Sequence, residues 1–231
     1  MSWVHEHRFP DSLALAHALS GEIKVDLEEA IAARGQASLV VSGGRTPARL
    51  FEQLRGEALD WSKVWVTLAD ERWVETNSPA SNEKMVRETL LTGPAAAAHF
   101  VGLKNPAPAP EAGADWATRA LTRVPHPFDV VLLGMGTDGH FASLFPGLPE
   151  TKAGLDLHNP ALCVAVDKQQ NGYARMSLTI SALLHSRLIL VAISGRPKRT
   201  VALQALAGTG GTPIATLLSH RKDDLEFLWT E

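Results

Sequence analysis

Three observations predict an α/β fold with a mostly parallel sheet and helices on both of its faces. Short, nearly continuous apolar runs, such as Ala37 to Val41, Val64 to Leu68 and Val130 to Leu133, have the pattern of strands buried on both sides. They alternate with segments of helical apolar spacing, the arrangement that joins parallel strands by crossover helices. The chain of 231 residues is 45% hydrophobic and 20% charged, enough to bury a full core, and we expect one domain over residues 1–231.

Taken in order, residues 3–9 read as an edge strand. Pro10 and Asp11 then open a helix to about Ala33, with Leu13, Ala16, Leu19, Ile23, Leu27 and Ile31 as its apolar positions and Gly35 as its stop. The strand Ala37 to Val41 runs into Ser42-Gly43-Gly44-Arg45-Thr46-Pro47 and a helix through Leu54, with Pro47 expected at its first position. Val64 to Leu68 is the next strand and ends in the charged stretch Asp70-Glu71-Arg72. Glu83 to Leu91 follows as a helix, residues 104–113 as a proline-rich surface connection, and Ala114 to Val124 as another helix. Val130 to Leu133 is expected in the middle of the sheet. Strands are expected at 161–166, at 175–180 on the sheet's edge, and at 188–193. Ser194 to Lys198 then leads into a helix through Ala207, and a last helix and strand lie within 214–229.

Composition narrows the function classes. The net charge of −3 argues against a nucleic-acid partner, and the single cysteine, Cys163, excludes an intrachain disulfide and fits a reducing compartment. No apolar run approaches the roughly 18 residues of a membrane span, and the first twenty residues carry Glu6, Arg8 and Asp11 where a signal peptide needs an apolar core. A soluble cytoplasmic protein is the expectation.

Four strand ends deliver glycine-rich or polar loops to one edge of such a sheet, where ligands of open α/β folds bind: 42–47, 70–73, 134–140 and 194–198. The glycine pair before a helix suits an anion. Gly134, Gly136 and Gly139 permit a sharp turn whose amides could cradle an anion or oxyanion, and this turn carries Asp138 and His140. Histidine titrates near neutrality, so His140, oriented by Asp138, is the first candidate for proton transfer. Arg72, Arg175 and Lys198 are candidate phosphate-binding cations. Gly134-x-Gly136-x-x-Gly139 formally matches the dinucleotide fingerprint, but Pro146, Gly147 and Pro149 cut short any helix after it. Neither a metal-binding His/Cys pattern nor the GxSxG nucleophile elbow is present.

Together, SGGRTP (42–47), LADERWV (68–74), SNEKMVRETL (81–90), GMGTDGHFASLFPG (134–147) and RMSLTI (175–180) resemble the lactonase side of the glucosamine-6-phosphate deaminase/6-phosphogluconolactonase superfamily. The resemblance implies a Rossmann-like three-layer α/β/α sandwich of the deaminase/isomerase kind. It also implies hydrolysis of 6-phospho-D-glucono-1,5-lactone without cofactor or metal, by a monomer or homodimer whose partner is that small molecule. In this reading His140 is the general base and then protonates the leaving ring oxygen. Asp70 matches the position of the deaminases' catalytic aspartate. Gly43, Gly44, Thr46, Arg72, Gly136, Asp138, Arg175 and Lys198 bind substrate. A deaminase reading is disfavoured because deaminases resembling this chain carry tyrosine where Arg72 stands and Asn-Glu-Pro where Leu144-Phe145-Pro146 stands. A non-catalytic sugar-phosphate sensor of this fold would need an added DNA-binding domain, for which the chain has no room before its first strand.

Overall fold

The structure, a computed structural model, describes residues 5–167, 172–220 and 225–231. The chain runs β1 (His5–Phe9), α1 (Ser12–Arg34), β2 (Ala37–Val41), α2 (Arg45–Leu54), β3 (Val64–Leu68), β4 (Asp70–Arg72), α3 (Asn82–Thr89), β5 (His99–Val101) and α4 (Pro110–Leu121). It continues through β6 (Phe128–Leu133), α5 (Pro149–Gly154), β7 (Cys163–Val166), β8 (Arg175–Leu178), α6 (Ile180–Leu184), β9 (Ser186–Ser194), α7 (Arg196–Leu206), α8 (Pro213–His220) and β10 (Leu225–Thr230). Among the described residues, seven strands pair in the order β1-β10-β9-β6-β2-β3-β5, every pair parallel. Helices flank this sheet, giving the expected α/β architecture with β6 at its centre and β1 at its edge. Residues 3 and 4 of the expected first strand lie outside the described residues, as do residues 221–224 of the expected C-terminal helix and strand.

Local chemistry explains the element boundaries. Asp11 caps α1 by accepting from the amides of Leu13 and Ala14, and Gly35 ends it in the left-handed conformation at φ 77°. All six residues of β6 and all five of β2 are buried, and apart from Asp129 and Ser38, which bond each other, they are apolar. The strand order reverses between β2 and β6: from β2 the sheet grows outward through β3 and β5, and from β6 it grows the other way through β9 and β10. The crevice at the carboxyl ends of β2 and β6 is thus the topological switch point, where such sheets bind ligands.

Several boundaries differ from the sequence expectation. Pro47 is the third residue of α2, whose N-cap is Gly44; the site still lies in the first turn, where a missing N–H costs no helical bond. Asp70–Arg72 is neither loop nor an end of the main sheet. It forms strand β4 of a second, antiparallel sheet in the order β4-β8-β7. Strand β8 is the middle of that small sheet, not the edge of the large one, and its four residues are all buried. Helix α4 begins at Pro110, inside the segment expected as connection, because proline suits a first helical turn. Helix α7 begins at Arg196, so Lys198 lies in its first turn. Strand β5 and the short helices α5 and α6 were not anticipated.

At the opposite, amino end of the sheet, Glu22 of α1 and Glu226 of β10 share a half-buried site, with His7 Nε2 3.3 Å from Glu226. Burial, then the charge and hydrogen bond of Glu226, then Asp26, push Glu22 from 4.5 up to about 8. A carboxyl whose folded pKa is raised contributes stability that is whole below about 4.5 and is lost as pH rises from there to about 8. Replacing it with a neutral amide should therefore help increasingly above about 4.5, and most above about 8. After discounting for solvent screening, Glu22→Gln should raise Tm by a few degrees at about pH 9 and leave it unchanged at about pH 4, as read by thermal melts at both.

Candidate active site

The loops after β2 and β6, the β4–β8 pair, and the first turns of α2, α3 and α7 enclose a cavity of about 210 Å³. Its lining includes Gly43, Gly44, Thr46, Asp70, Arg72, Gly136, His140, Arg175 and Lys198 of the sequence-derived candidates. Asp138 does not line it but holds His140 from behind. Thus the structure brings these candidates to one crevice, except Asp138, which is bonded to His140 outside its lining.

The His140 turn is built by glycine. Gly139 adopts φ 79°, and a Cβ on Gly136 would fall 2.3 Å from His140 Cε1 and Nδ1, so a side chain there would displace the imidazole. The expectation that this turn's amides face a ligand needs correcting. Gly136 N–H donates to the His140 carbonyl at 2.9 Å and Gly139 N–H to the Gly136 carbonyl at 3.1 Å, so the turn consumes these amides in closing on itself. The Gly139 carbonyl in turn accepts from Ile214 N–H at 2.9 Å, which ties the turn to α8. Ala142, also lining the cavity, holds φ 47°, a conformation rare outside glycine.

His140 Nδ1 lies 2.6 Å from Asp138 Oδ1. Partial burial pushes the Asp138 carboxyl up, but the amide and ring of His140 outweigh it and leave the acid below its ordinary value. The carboxylate can only accept, so the proton sits on Nδ1 and Nε2 is the basic nitrogen. The imidazole packs on the Phe145 ring at 4.3 Å, and the Arg175 guanidinium lies 5.3 Å from the same ring.

Register places the cations. In the antiparallel β4–β8 pair, Arg72 lies directly opposite Arg175 and Asp70 opposite Ser177. Like charges in facing positions repel, so this pairing needs a compensating anion. Asp70 supplies one, its Oδ2 3.7 Å from Arg175 Nη1, with both side chains buried. Burial draws Arg175 below its ordinary value, Asp70 counteracts this, and Arg72 adds to it. Among the described residues the buried Nε atoms of both arginines have no hydrogen-bond partner, and they are donors suited to an anion entering the cavity. Two helices also start beside the cavity at positive-φ glycines, α2 at Gly44 (121°) and α7 at Gly195 (91°), neither with a side-chain cap.

Asn82 and Ser143 are site residues that sequence reasoning passed over. Asn82 Nδ2 donates to the Asp70 carbonyl at 2.8 Å and to Asp70 Oδ1 at 3.3 Å, while its Oδ1 accepts from Arg72 Nη1 at 2.9 Å. A Cβ on Gly43 would fall 2.0 Å from Asn82 Oδ1, so Gly43 is what lets Asn82 approach the crevice. Ser143 Oγ donates to Asp70 Oδ2 at 2.5 Å and accepts from Arg175 Nη1 at 3.4 Å. The signal that could have found Asn82 was its place in SNEKMVRETL (81–90), as a polar residue opening a helix after a loop.

A parallel α/β sheet with a cationic crevice at its switch point defines a protein of the doubly wound class with a site for a small anionic ligand. Comparison with known proteins narrows the class. A family model described as glucosamine-6-phosphate isomerases/6-phosphogluconolactonase matches residues 10–229, and the chain belongs to that family. It is 43% identical over 228 residues to a 6-phosphogluconolactonase from Pseudomonas putida, covering 98% of this chain and 93% of the relative. The crystal structure of a 6-phosphogluconolactonase from Shewanella baltica superposes with a TM-score of 0.94 at 44% identity, covering 99% of this chain and 98% of the other. A monomeric glucosamine-6-phosphate deaminase of the NagB superfamily shares the fold, with a TM-score of 0.74 at 18% identity over 99% of this chain and 98% of the other.

Proposed function

We propose that this chain hydrolyses 6-phospho-D-glucono-1,5-lactone to 6-phospho-D-gluconate, the second step of the oxidative pentose phosphate pathway, with residues 1–231 acting as one domain. The observation that carries the reading is the meeting of a carboxylate-oriented imidazole with two facing arginines in one cavity, in a chain 43% identical to a 6-phosphogluconolactonase. The substrate's phosphate is held among Arg72, Arg175, Lys198 and the start of α2 at Gly43, Gly44 and Thr46. That anchor presents the lactone carbonyl to His140.

His140 Nε2 removes a proton from water as its oxygen attacks C1. The tetrahedral intermediate then collapses with cleavage of the bond from C1 to the ring oxygen, and the imidazolium returns its proton to that oxygen. Asp138 keeps the proton on Nδ1 throughout and stabilises the imidazolium. Asp70, bonded by Asn82 and Ser143 and facing Arg175, serves as a fixed counter-charge that aims this arginine and meets a sugar hydroxyl. Gly136 leaves the space that the imidazole occupies.

The reading is tested by measuring acid release from the phospholactone, corrected for its spontaneous hydrolysis, against turnover of glucosamine 6-phosphate. Saturable lactone hydrolysis is expected, with no deamination; the reverse preference would move the chain to the deaminase side of its family. No group of three or more His, Cys, Asp or Glu among the described residues could hold a metal ion, and activity is expected to survive a chelator. Loss of activity restored by a divalent cation would overturn the mechanism.

A further inference from the structure

Between Asp70 and Arg72 on β4 lies a carboxyl group that the mechanism does not use. Alternation along a strand sends Glu71 to the face opposite its neighbours, and there it is fully buried. Its Oε1 accepts from the amides of Arg72 (2.8 Å) and Asn82 (2.7 Å), and its Oε2 from the amide of Glu83 (2.7 Å) and the hydroxyl of Ser81 (2.9 Å). Four donors and no competing acceptor converge on one side chain. Three of them belong to the start of α3, so Glu71 fastens that helix to β4 at the residue whose side chain returns to the cavity. That residue is Asn82, which bonds both Asp70 and Arg72. The path is closed: backbone of β4, Glu71, backbone of Asn82, side chain of Asn82, and the two charged groups on the other face of β4.

We infer that Glu71 is a positioning residue which, through Asn82, fixes where the Arg72 guanidinium and the Asp70 carboxylate stand in the cavity. Burial pushes its acid form up and the four donors pull it down, with burial the stronger. Satisfied by four donors, the carboxylate is held rigidly, and the start of α3 with it. The kinetic part of the test rests on the lactonase reading, and the spectroscopic part does not.

In Glu71→Gln the amide NH₂ must face a backbone N–H, which loosens the junction. On the phospholactone, KM should rise about 10-fold with a smaller change in kcat, the pattern of lost ground-state anchoring. Asn82→Ala leaves every bond of Glu71 in place, since those go to the Asn82 backbone, and should reproduce the KM rise. The double variant should be no worse than Asn82→Ala alone, because one path is cut twice. Multiplying effects, or a normal KM in Asn82→Ala, would overturn the inference. Independently of any substrate, NMR of the Arg72 Nε–H and of the Asn82 side-chain amide should show both resonances displaced in Glu71→Gln. Unmoved resonances in a folded variant would equally overturn it. Failure of wild-type lactone turnover would count against the proposed reaction only, leaving the resonances to decide the role of Glu71.

Discussion

His140→Ala should lower kcat for phospholactone hydrolysis by about 10²- to 10⁴-fold, the usual worth of a positioned general base. The loss should fall on kcat, because the base acts in the chemical step and the phosphate anchors of the proposed mechanism stay in place. Stability should change little: among the described residues the charged partner of His140 is Asp138, whose side chain is 46% exposed, and such pairs contribute little. A melt matching wild type, with KM near wild type, would separate a missing base from a damaged fold. A variant of full activity would leave the lactonase assignment standing and remove His140 as its base.

Arg175→Ala is expected to have the largest effect on the fold. The ion pair with Asp70 is buried on both sides, and removing one partner leaves a charge without compensation. Such losses cost about 3–5 kcal/mol, and the donors remaining on Asp70 from Asn82 and Ser143 place this case near the lower figure. For a chain of this length Tm should drop by about 6–12 °C. Arg72→Ala, directly across the strand pair, should behave differently. Arg72 is only partly buried and bonds the Ala80 carbonyl and Asn82, so its removal should raise KM about 10- to 100-fold at nearly constant stability. Equal melting losses in the two variants would mean that Asp70 does not depend on Arg175.

The contrast between these neighbours also marks the limit of what the sequence revealed. Strands β2, β3 and β6 were legible because burial on both faces leaves a nearly continuous apolar run, and loops after such strands fall at one edge by topology alone. That was enough to gather Gly43, Arg72, His140 and Lys198 into one region. The second sheet was legible only in part: β7 and β8 fall within the strands expected at 161–166 and 175–180, but β4, three charged residues long, shows no period, and no local pattern tells that the three pair with one another. Their register, which sets Arg72 against Arg175, arises only when the chain folds. Strand β5, three residues with an exposed first position, was missed for the same reason. Asn82, Ser143 and Glu71 act through contacts spanning ten or more residues of sequence, which no local pattern records. The sharp turn expected of the glycines around His140 is present, with Gly139 at φ 79°, but Gly136 makes room for a ring and does not offer its amide to a ligand.

The central claim, a lactone carbonyl delivered to His140 by its remote phosphate, is tested most directly by comparing kcat/KM for 6-phospho-D-glucono-1,5-lactone with that for glucono-1,5-lactone near neutral pH. Both rates would be corrected for spontaneous hydrolysis. Phosphate anchoring predicts that the unphosphorylated lactone is poorer by at least about 10²-fold, with part of the loss in kcat. Equal efficiency on the two lactones, or no acceleration of the phosphorylated one, would contradict it.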